Sequence, residues 1–407
     1  MNPTLLYISF YSPYPLKSGG AVRSFYTIKA LQASFNVKLI CLCAPDVYNK
    51  YIADKIPQAT AAALGVAYED VVFTLNPINI SYLQRVQQTG GLLRYKIDYK
   101  RFAHEAALQA LITSYVKAWE PAVLCFRHFY IANRVQLQQF NAKVWVDMDD
   151  DPFEILATRY QHRWMLRRWA EHAYKMSFLK RFYRSHYQNT TLIFAKAPLP
   201  FWADMAPYVI PNIVPEPHFN KEVLAGAAPA IAFIGSMSYP PNIEAVDFLL
   251  HRVWPLVLAH IPNAQLLLVG KEMSQQQQQA YSTYPQVQVV GEVPNMIAIY
   301  TQVQLTIAPM FSGSGTNIKI IESFAFKTPC VTTSFGLSGL ELLFQTISQH
   351  LVANTASHLA ERVIALLGNP TLLAQVSTIG YQQYTAYHTV AAMEKSIGHL
   401  RANDTQS

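Results

Sequence analysis

The chain has 407 residues, 51% of them hydrophobic and 14% charged, so it carries ample apolar surface for packed cores, and extensive disorder is excluded. That length exceeds what one core usually supports and predicts two domains. The formal charge of +7 is uneven: the first 212 residues hold 24 Lys and Arg against 14 Asp and Glu, the remainder 8 against 11. The basic half is expected to meet something anionic, a membrane surface or a lipid-linked phosphate ahead of nucleic acid.

No apolar run reaches the length of a membrane-spanning helix. The stretch from Met1 to Phe10 has no basic region and goes directly into a strand pattern, which reads as no signal peptide. Cys41, Cys43, Cys125 and Cys330 lie in apolar strand-like runs without zinc spacing, as expected of reduced core thiols in a cytoplasmic protein.

In chain order, residues 5–10 read as a first buried strand, broken by Pro13 and Pro15. Gly19 and Gly20 then open a helix predicted over 21–33. A glycine pair at a strand-to-helix junction, with Arg23 one turn in, is a potential phosphate site; ordinary loop punctuation is the alternative. Strands follow at 37–42 and 71–74, then a helix at 104–118 and a strand at 122–126 that runs into Arg127 and His128. A basic pair at the carboxyl end of a parallel strand stands where open α/β sheets place ligands. His128 is a candidate to polarise a substrate hydroxyl or donate to a transferred sugar; the alternative is a partly exposed histidine beginning a helix.

The strand at 143–146 leads into Asp147-x-Asp149, with Asp150 and Asp151 behind it. Carboxylates so spaced suit Mg²⁺ or Mn²⁺, but acids before a helix also serve as caps together with Glu154, and capping with acceptor-side polarity is the preferred reading. From Arg159 to Tyr187 eight Lys and Arg stand against one Glu, interleaved with aromatic residues. Arg159, Arg163 and Arg167 recur at i+4 on one helix face. Such a segment suits an anionic membrane surface, a solvated face being the alternative; no nucleic-acid motif accompanies it.

Strands at 192–195 and 208–210 close this half, and Pro211, Pro215 and Pro217 mark a linker. The alternation then restarts with a strand at 230–234, a helix over 242–261 bent at Pro255, and strands at 265–269, 287–290, 303–308, 330–333 and 350–352. Residues 275–279, all glutamine, read as a polar helix surface. Strands alternating with helices imply parallel sheets with right-handed crossovers. The predicted class is α/β, as two Rossmann-like domains facing each other across a cleft. Their expected bounds are 1–213 and 214–379, with a C-terminal helix at 380–401 packing back on the first.

The least anonymous stretch is Gly313-Ser314-Gly315-Thr316-Asn317-Ile318-Lys319-Ile320-Ile321-Glu322. Two glycines at a strand-to-helix turn let backbone amides approach a ligand, and the first helical turn attracts anions. Lys319 adds a full charge, and Glu322, three residues on, shares its face and could reach ribose hydroxyls. The reading is a nucleotide-diphosphate cradle, with a tight loop as the alternative. Neither a dinucleotide fingerprint nor a P-loop is present.

The order of motifs resembles the retaining GT-B glycosyltransferases of family 4 (glycosyl transferases group 1), over nearly the whole chain. The residues that carry it are Gly19-Gly20-x-x-Arg23, Val209-Ile210-Pro211-Asn212, Phe233-Ile234-Gly235-Ser236, Pro241-Asn242, Leu268-Val269-Gly270, Gly313-Ser-Gly-Thr-x-x-Lys319-x-x-Glu322, Pro329 and Val331-Thr332-Thr333. The resemblance implies a nucleotide-sugar donor on the second half and a glycan or lipid-linked acceptor on the first, with sugar transfer under retention and no metal or other cofactor. Glu322 matches the second acid of the family's Glu-x7-Glu motif; Ser314 stands at the first. Sugar contact then falls to Ser314 and the backbone of Gly313, Gly315 and Thr316. The Arg and Lys usual after the Phe-x-Gly strand are replaced by Ser236 and the Pro240-Pro241 region, leaving Lys319 as the diphosphate ligand, aided by Arg23. The implied setting is cell-surface polysaccharide or glycolipid synthesis at the inner membrane face.

Overall fold

The computed structural model describes residues 2–10, 12–16, 18–77, 105–149, 151–153, 166–217, 228–313, 315–341 and 344–404; at 166–175 and 404 it describes the backbone alone. Ser314, Asp150, Glu154, Arg159, Arg163 and the first part of the basic segment therefore lie outside the described residues, as do the side chains of Arg167 and Arg168. The chain divides into two compact units, Met1–Pro211 with Met393–Ser407, and Asn212–Ala392.

The first unit is built on seven strands: β1 (Thr4–Ser9), β2 (Asn36–Cys43), β3 (Val71–Leu75), β4 (Val123–Arg127), β5 (Lys143–Asp149), β6 (Thr190–Phe194) and β7 (Tyr208–Val209). All pair in parallel, in the order β3-β2-β1-β4-β5-β6-β7. Parallel strands covered on both faces need apolar side chains at successive positions. Leu5 through Ile8 are all fully buried, as are Leu124 and Phe126, and Cys41, Cys43 and Cys125 here, like Cys330 in the second unit, are buried outside any disulfide. The order reverses between β1 and β4, which opens a crevice beyond their carboxyl ends.

The second unit holds β8 (Ala230–Ile234), β9 (Gln265–Val269), β10 (Val287–Gly291), β11 (Leu305–Ala308) and β12 (Cys330–Thr332), in the parallel order β10-β9-β8-β11-β12. Its reversal point lies between β8 and β11. The helix Ile318–Ala325 buries Ile320, Ile321, Phe324 and Ala325 beneath it. Phe324 stacks on Phe344 at 4.7 Å. Gly380, on the helix Pro370–Tyr387, lies so close that a Cβ there would stand 2.1 Å from the Phe324 ring, so that crossing admits no larger residue.

Three elements differ from the sequence expectation. Residues 350–352 do not form a strand: Ser348–Leu351 is a helical turn, and Val352 contributes one parallel bridge to Thr332. A three-residue apolar window cannot separate the two states. The long helix is not simply bent at Pro255. Pro240–Phe248 passes through a π-helical turn, Leu249–Val253, into Trp254–His260. The wide turn accommodates a proline that lacks an N–H and would crowd the carbonyl four residues back. The helix expected at 380–401 is two helices, Pro370–Tyr387 and Val390–Asp404. Between them His388 is tied to the start of the unit, its Nδ1 lying 2.7 Å from the Asn212 carbonyl and its own carbonyl accepting from the Val214 N–H. From Met393 onward the chain belongs to the first unit, where Arg401 lies over the Phe35 ring.

Candidate functional site

The second unit gathers its polar groups at the reversal point of its sheet. Gly235 and Ser236 follow β8, and Met310 to Gly313 with Gly315 and Thr316 follow β11, so these residues rise from the two strands that flank the crevice. Lys319 reaches back into this space. Its ammonium donates to Asn242 Oδ1 at 2.6 Å, lies 3.7 Å from Met310 Sδ and stands 4.7 Å over the Phe233 ring. Burial pulls its pKa down to about 8, against small opposing pulls from Cys330 and Glu322. A lysine in a partly dry seat, facing little negative charge, gains from an incoming anion.

Close approach explains the glycines. A Cβ on Gly235 would stand 2.7 Å from Asn242 Nδ2 and 3.1 Å from Lys319 Nζ, and one on Gly270 only 1.7 Å from the Gly235 carbonyl oxygen. Gly313 has φ 129° and Gly315 φ 75°, conformations that favour glycine. A Cβ on Gly313 would also meet the Tyr239 hydroxyl at 3.1 Å. The buried Thr316 hydroxyl has no hydrogen-bond partner among the described residues. Glu322 accepts from the Tyr300 hydroxyl at 3.2 Å; burial raises its pKa, opposed by that bond and by Lys319. Tyr300 is itself fully buried and stacked on Phe326 at 4.1 Å. Ser236 donates to Glu272 Oε2 at 2.6 Å, and Ser238 does the same.

In the first unit the structure corrects the role expected of Arg23. Its Nε and NH2 grip Asp147 at 2.9 and 2.8 Å, its NH1 donates to the Ile210 carbonyl at 2.9 Å, and only 2% of it is exposed. A guanidinium spent on a buried bidentate pair is a structural cation, not a diphosphate ligand. Gly19 and Gly20 form the first turn of the helix Gly19–Gln32, capped by Ser18, whose hydroxyl accepts from the Ala21 N–H.

Asp147 and Asp149 do not cap a helix either. Arg127 NH2 holds Asp149 at 2.7 Å, and the four side chains form a closed network of two cations and two anions. Burial alone would raise the Asp149 pKa, but Arg127 and then Arg23 hold it well below the usual carboxylate range. Capping falls to Asp151, which accepts from the Phe153 N–H at 2.8 Å, the Leu199 N–H at 3.1 Å and Trp202 Nε1 at 2.9 Å. Among the described residues, no three His, Cys, Asp or Glu side chains meet as a metal cage.

His128 is buried rather than partly exposed, and it begins the helix Phe129–Ala132. Its backbone sits at φ 80°, ψ 138°, a sparsely populated region for a residue with a side chain. The ring stacks on Tyr130, and Nδ1 accepts a long bond from the Tyr130 N–H, which assigns the ring proton to Nε2. Burial first, and Arg127 second, lower its pKa to about 4, so the imidazole is neutral at physiological pH.

Solved structures resemble the whole chain, among them two glycosyltransferases. A glycosyltransferase from Rickettsia africae matches at TM-score 0.62 and 14% identity, over 98% of this chain and 97% of that one. A variant of TarM from S. aureus, in complex with fondaparinux, alpha-GlcNAc-glycerol and UDP, matches at TM-score 0.62 and 11% identity, over 98% and 99%. The fold is GT-B. Within the GT-B chain, residues 228–369 match the family model described as glycosyl transferases group 1, which covers most of the second unit. One curated relative, an uncharacterized 44.6 kDa protein in the cps region of Klebsiella pneumoniae, is 26% identical over 121 residues. That match spans 27% of this chain and 30% of the relative's length.

On this GT-B framework the structure brings Gly235, Ser236, Gly313, Gly315, Thr316, Lys319 and Glu322 to one sheet end, while Gly19, Gly20, Arg23 and His128 belong to the other unit. Sequence reasoning quoted Asn242 only as part of a motif and missed Tyr300 and Glu272. A double proline before Asn242 marked a helix start, but nothing local announced its partner.

Proposed function

We propose that this chain is a retaining glycosyltransferase of family 4 that moves a sugar from a nucleoside-diphosphate donor to a glycan or lipid-linked acceptor. The observation that carries the reading is the Lys319 ammonium, seated without a carboxylate partner among the described residues at the reversal point of the second sheet, beside two backbone segments kept open by glycine. The group 1 match over 228–369 and the UDP bound by a structural neighbour support it.

In this reading the bond from the anomeric carbon to the diphosphate oxygen breaks as the acceptor oxygen attaches, and the acceptor proton leaves on the departing diphosphate. Lys319 and the amides at the start of the helix Ile318–Ala325 stabilise the developing charge. Glu322, oriented by Tyr300, accepts from the ribose hydroxyls. Ser314 and the Gly313, Gly315 and Thr316 backbone meet the donor sugar, and His128 Nε2–H donates to a substrate hydroxyl. The reading takes transfer without a divalent metal, which the pairing of Asp147 and Asp149 with two guanidinium groups supports.

Calorimetry with a panel of nucleoside diphosphates, followed by transfer assays with and without EDTA, tests the proposal. Bound diphosphate favours the protonated lysine, so affinity falls as pH rises through the midpoint near 8, and it falls again below about pH 6 as the diphosphate takes up a proton. At pH 9.5 binding should be about 30-fold weaker than at pH 7, following tenfold per unit above the midpoint. Transfer should survive EDTA, and product NMR should show the anomeric configuration kept. Binding by none of the panel, or transfer abolished by the chelator, would refute it; binding without turnover would point to a silent GT-B module.

The acceptor side is assigned to an anionic membrane surface at the cytoplasmic face, in polysaccharide or glycolipid synthesis. Lys180, Arg181 and Arg184, spaced three and four residues apart, are exposed on one face of the helix Leu166–His186. Replacing Lys180 and Arg181 by Gln should weaken binding to phosphatidylglycerol vesicles at low salt several-fold. Unchanged binding would leave this a solvated face.

A further inference from the structure

We propose that Asn242 is a positioning residue that holds the Lys319 ammonium at the crevice without neutralising it. The inference rests on the donor reading above and adds how its cation is kept in place. Asn242 lies in the first turn of the helix Pro240–Phe248 and is 5% exposed. Both ends of its amide are engaged: Oδ1 accepts from Lys319 Nζ at 2.6 Å, and Nδ2 donates to the Ser236 carbonyl at 2.8 Å. These partners fix the amide orientation, because the flipped form would set an NH2 against an ammonium and an oxygen against a carbonyl. Gly235 makes the arrangement possible, since any side chain there would displace the amide and the lysine together.

The choice of amide over acid matters electrically. A carboxylate in this place would pair with Lys319 and cancel the charge that draws a diphosphate; an amide supplies an acceptor and leaves the net charge at +1. Three N–H groups radiate from the ammonium; Asn242 takes one, and the Met310 sulfur satisfies another only weakly. In the donor reading, the remaining N–H is left for a diphosphate oxygen. The other groups around Lys319 are the Phe233 ring of β8, Glu322 one turn along its own helix and Cys330 of β12.

The test reads Lys319 directly, by pH-dependent acylation of its amine followed by mass spectrometry, and adds UDP calorimetry on the same samples. Asn242→Asp should raise the Lys319 midpoint from about 8 by about one unit or more, since an opposite charge is placed within contact, and weaken UDP at pH 7 by about tenfold or more. Asn242→Ala should move the midpoint the opposite way, to below 8, and also weaken UDP about tenfold. Opposite shifts in two variants do not follow from a structural role alone. An unmoved midpoint in both, or UDP binding equal to wild type in the Ala variant, overturns the proposal. A wild type that binds no nucleoside diphosphate overturns the donor reading itself, and the acylation profiles then still report the contact independently.

Discussion

Lys319→Met should weaken nucleoside-diphosphate binding by about 30- to 1,000-fold, the equivalent of about 2–4 kcal/mol for removing one partner of an enclosed charge pair. The expectation follows from what surrounds the ammonium. The groups in contact with it are an amide, a thioether and an aromatic face, with the Glu322 carboxylate one turn along the helix and held by Tyr300, so among the described residues no carboxylate pairs directly with the lysine. Methionine keeps the length of the side chain and its contact with Phe233 while removing only the charge and its donors. Because burial already disfavours the charged lysine, the variant should melt at or above the wild-type temperature. Calorimetry and a thermal melt on one sample separate the two effects. Glu322→Gln should weaken UDP far less, since it keeps an acceptor for Tyr300 and loses only a ribose contact. Binding in Lys319→Met within twofold of wild type would remove Lys319 from the donor site.

Asp147→Ala should destabilise the first unit by about 3–5 kcal/mol, the usual consequence of deleting one member of a buried ion pair. Arg23, Arg127, Asp147 and Asp149 together sum to zero charge, and the first three are nearly inaccessible. Removing one carboxylate strands a net positive charge in the sheet interior. The double variant Arg23→Met with Asp147→Leu removes one charge of each sign and leaves Arg127 paired with Asp149, so it should recover most of the loss. The readout is the melting transition assigned to the first unit, with UDP affinity measured alongside. The double variant should bind UDP within about twofold of wild type, as a structural cation requires. A large loss of UDP affinity there, at unchanged stability, would restore Arg23 to the donor site; a wild-type melt for Asp147→Ala would show the network to be energetically slack.

The neutral His128 belongs to the same neighbourhood. Its backbone N–H donates to the Asp147 carbonyl at 2.7 Å, so the ion-pair network and the strained turn that presents the imidazole share one strand end. Sequence reasoning singled out Arg127 and His128 as a basic pair open to a ligand. The fold instead spends Arg127 on carboxylates and leaves only the histidine, uncharged, as a candidate to touch substrate.

The sequence by itself determined the architecture of each unit. Continuous apolar runs alternating with amphipathic segments admit only parallel sheets with helical crossovers, and a Gly-Ser-Gly turn before an apolar helix marks where one sheet end stays open. These features are local, set by strand burial, glycine φ and helix periodicity within a few residues, so they can be read without partners. Only the tertiary structure decided what the charges do. Arg23 meets Asp147 across 124 positions, and Lys319 meets Asn242 across 77. An arginine after a glycine pair has the same local appearance whether it awaits a phosphate or is about to be buried against an aspartate. Strand order brings the partner, or withholds it, and strand order is a property of the assembled sheet.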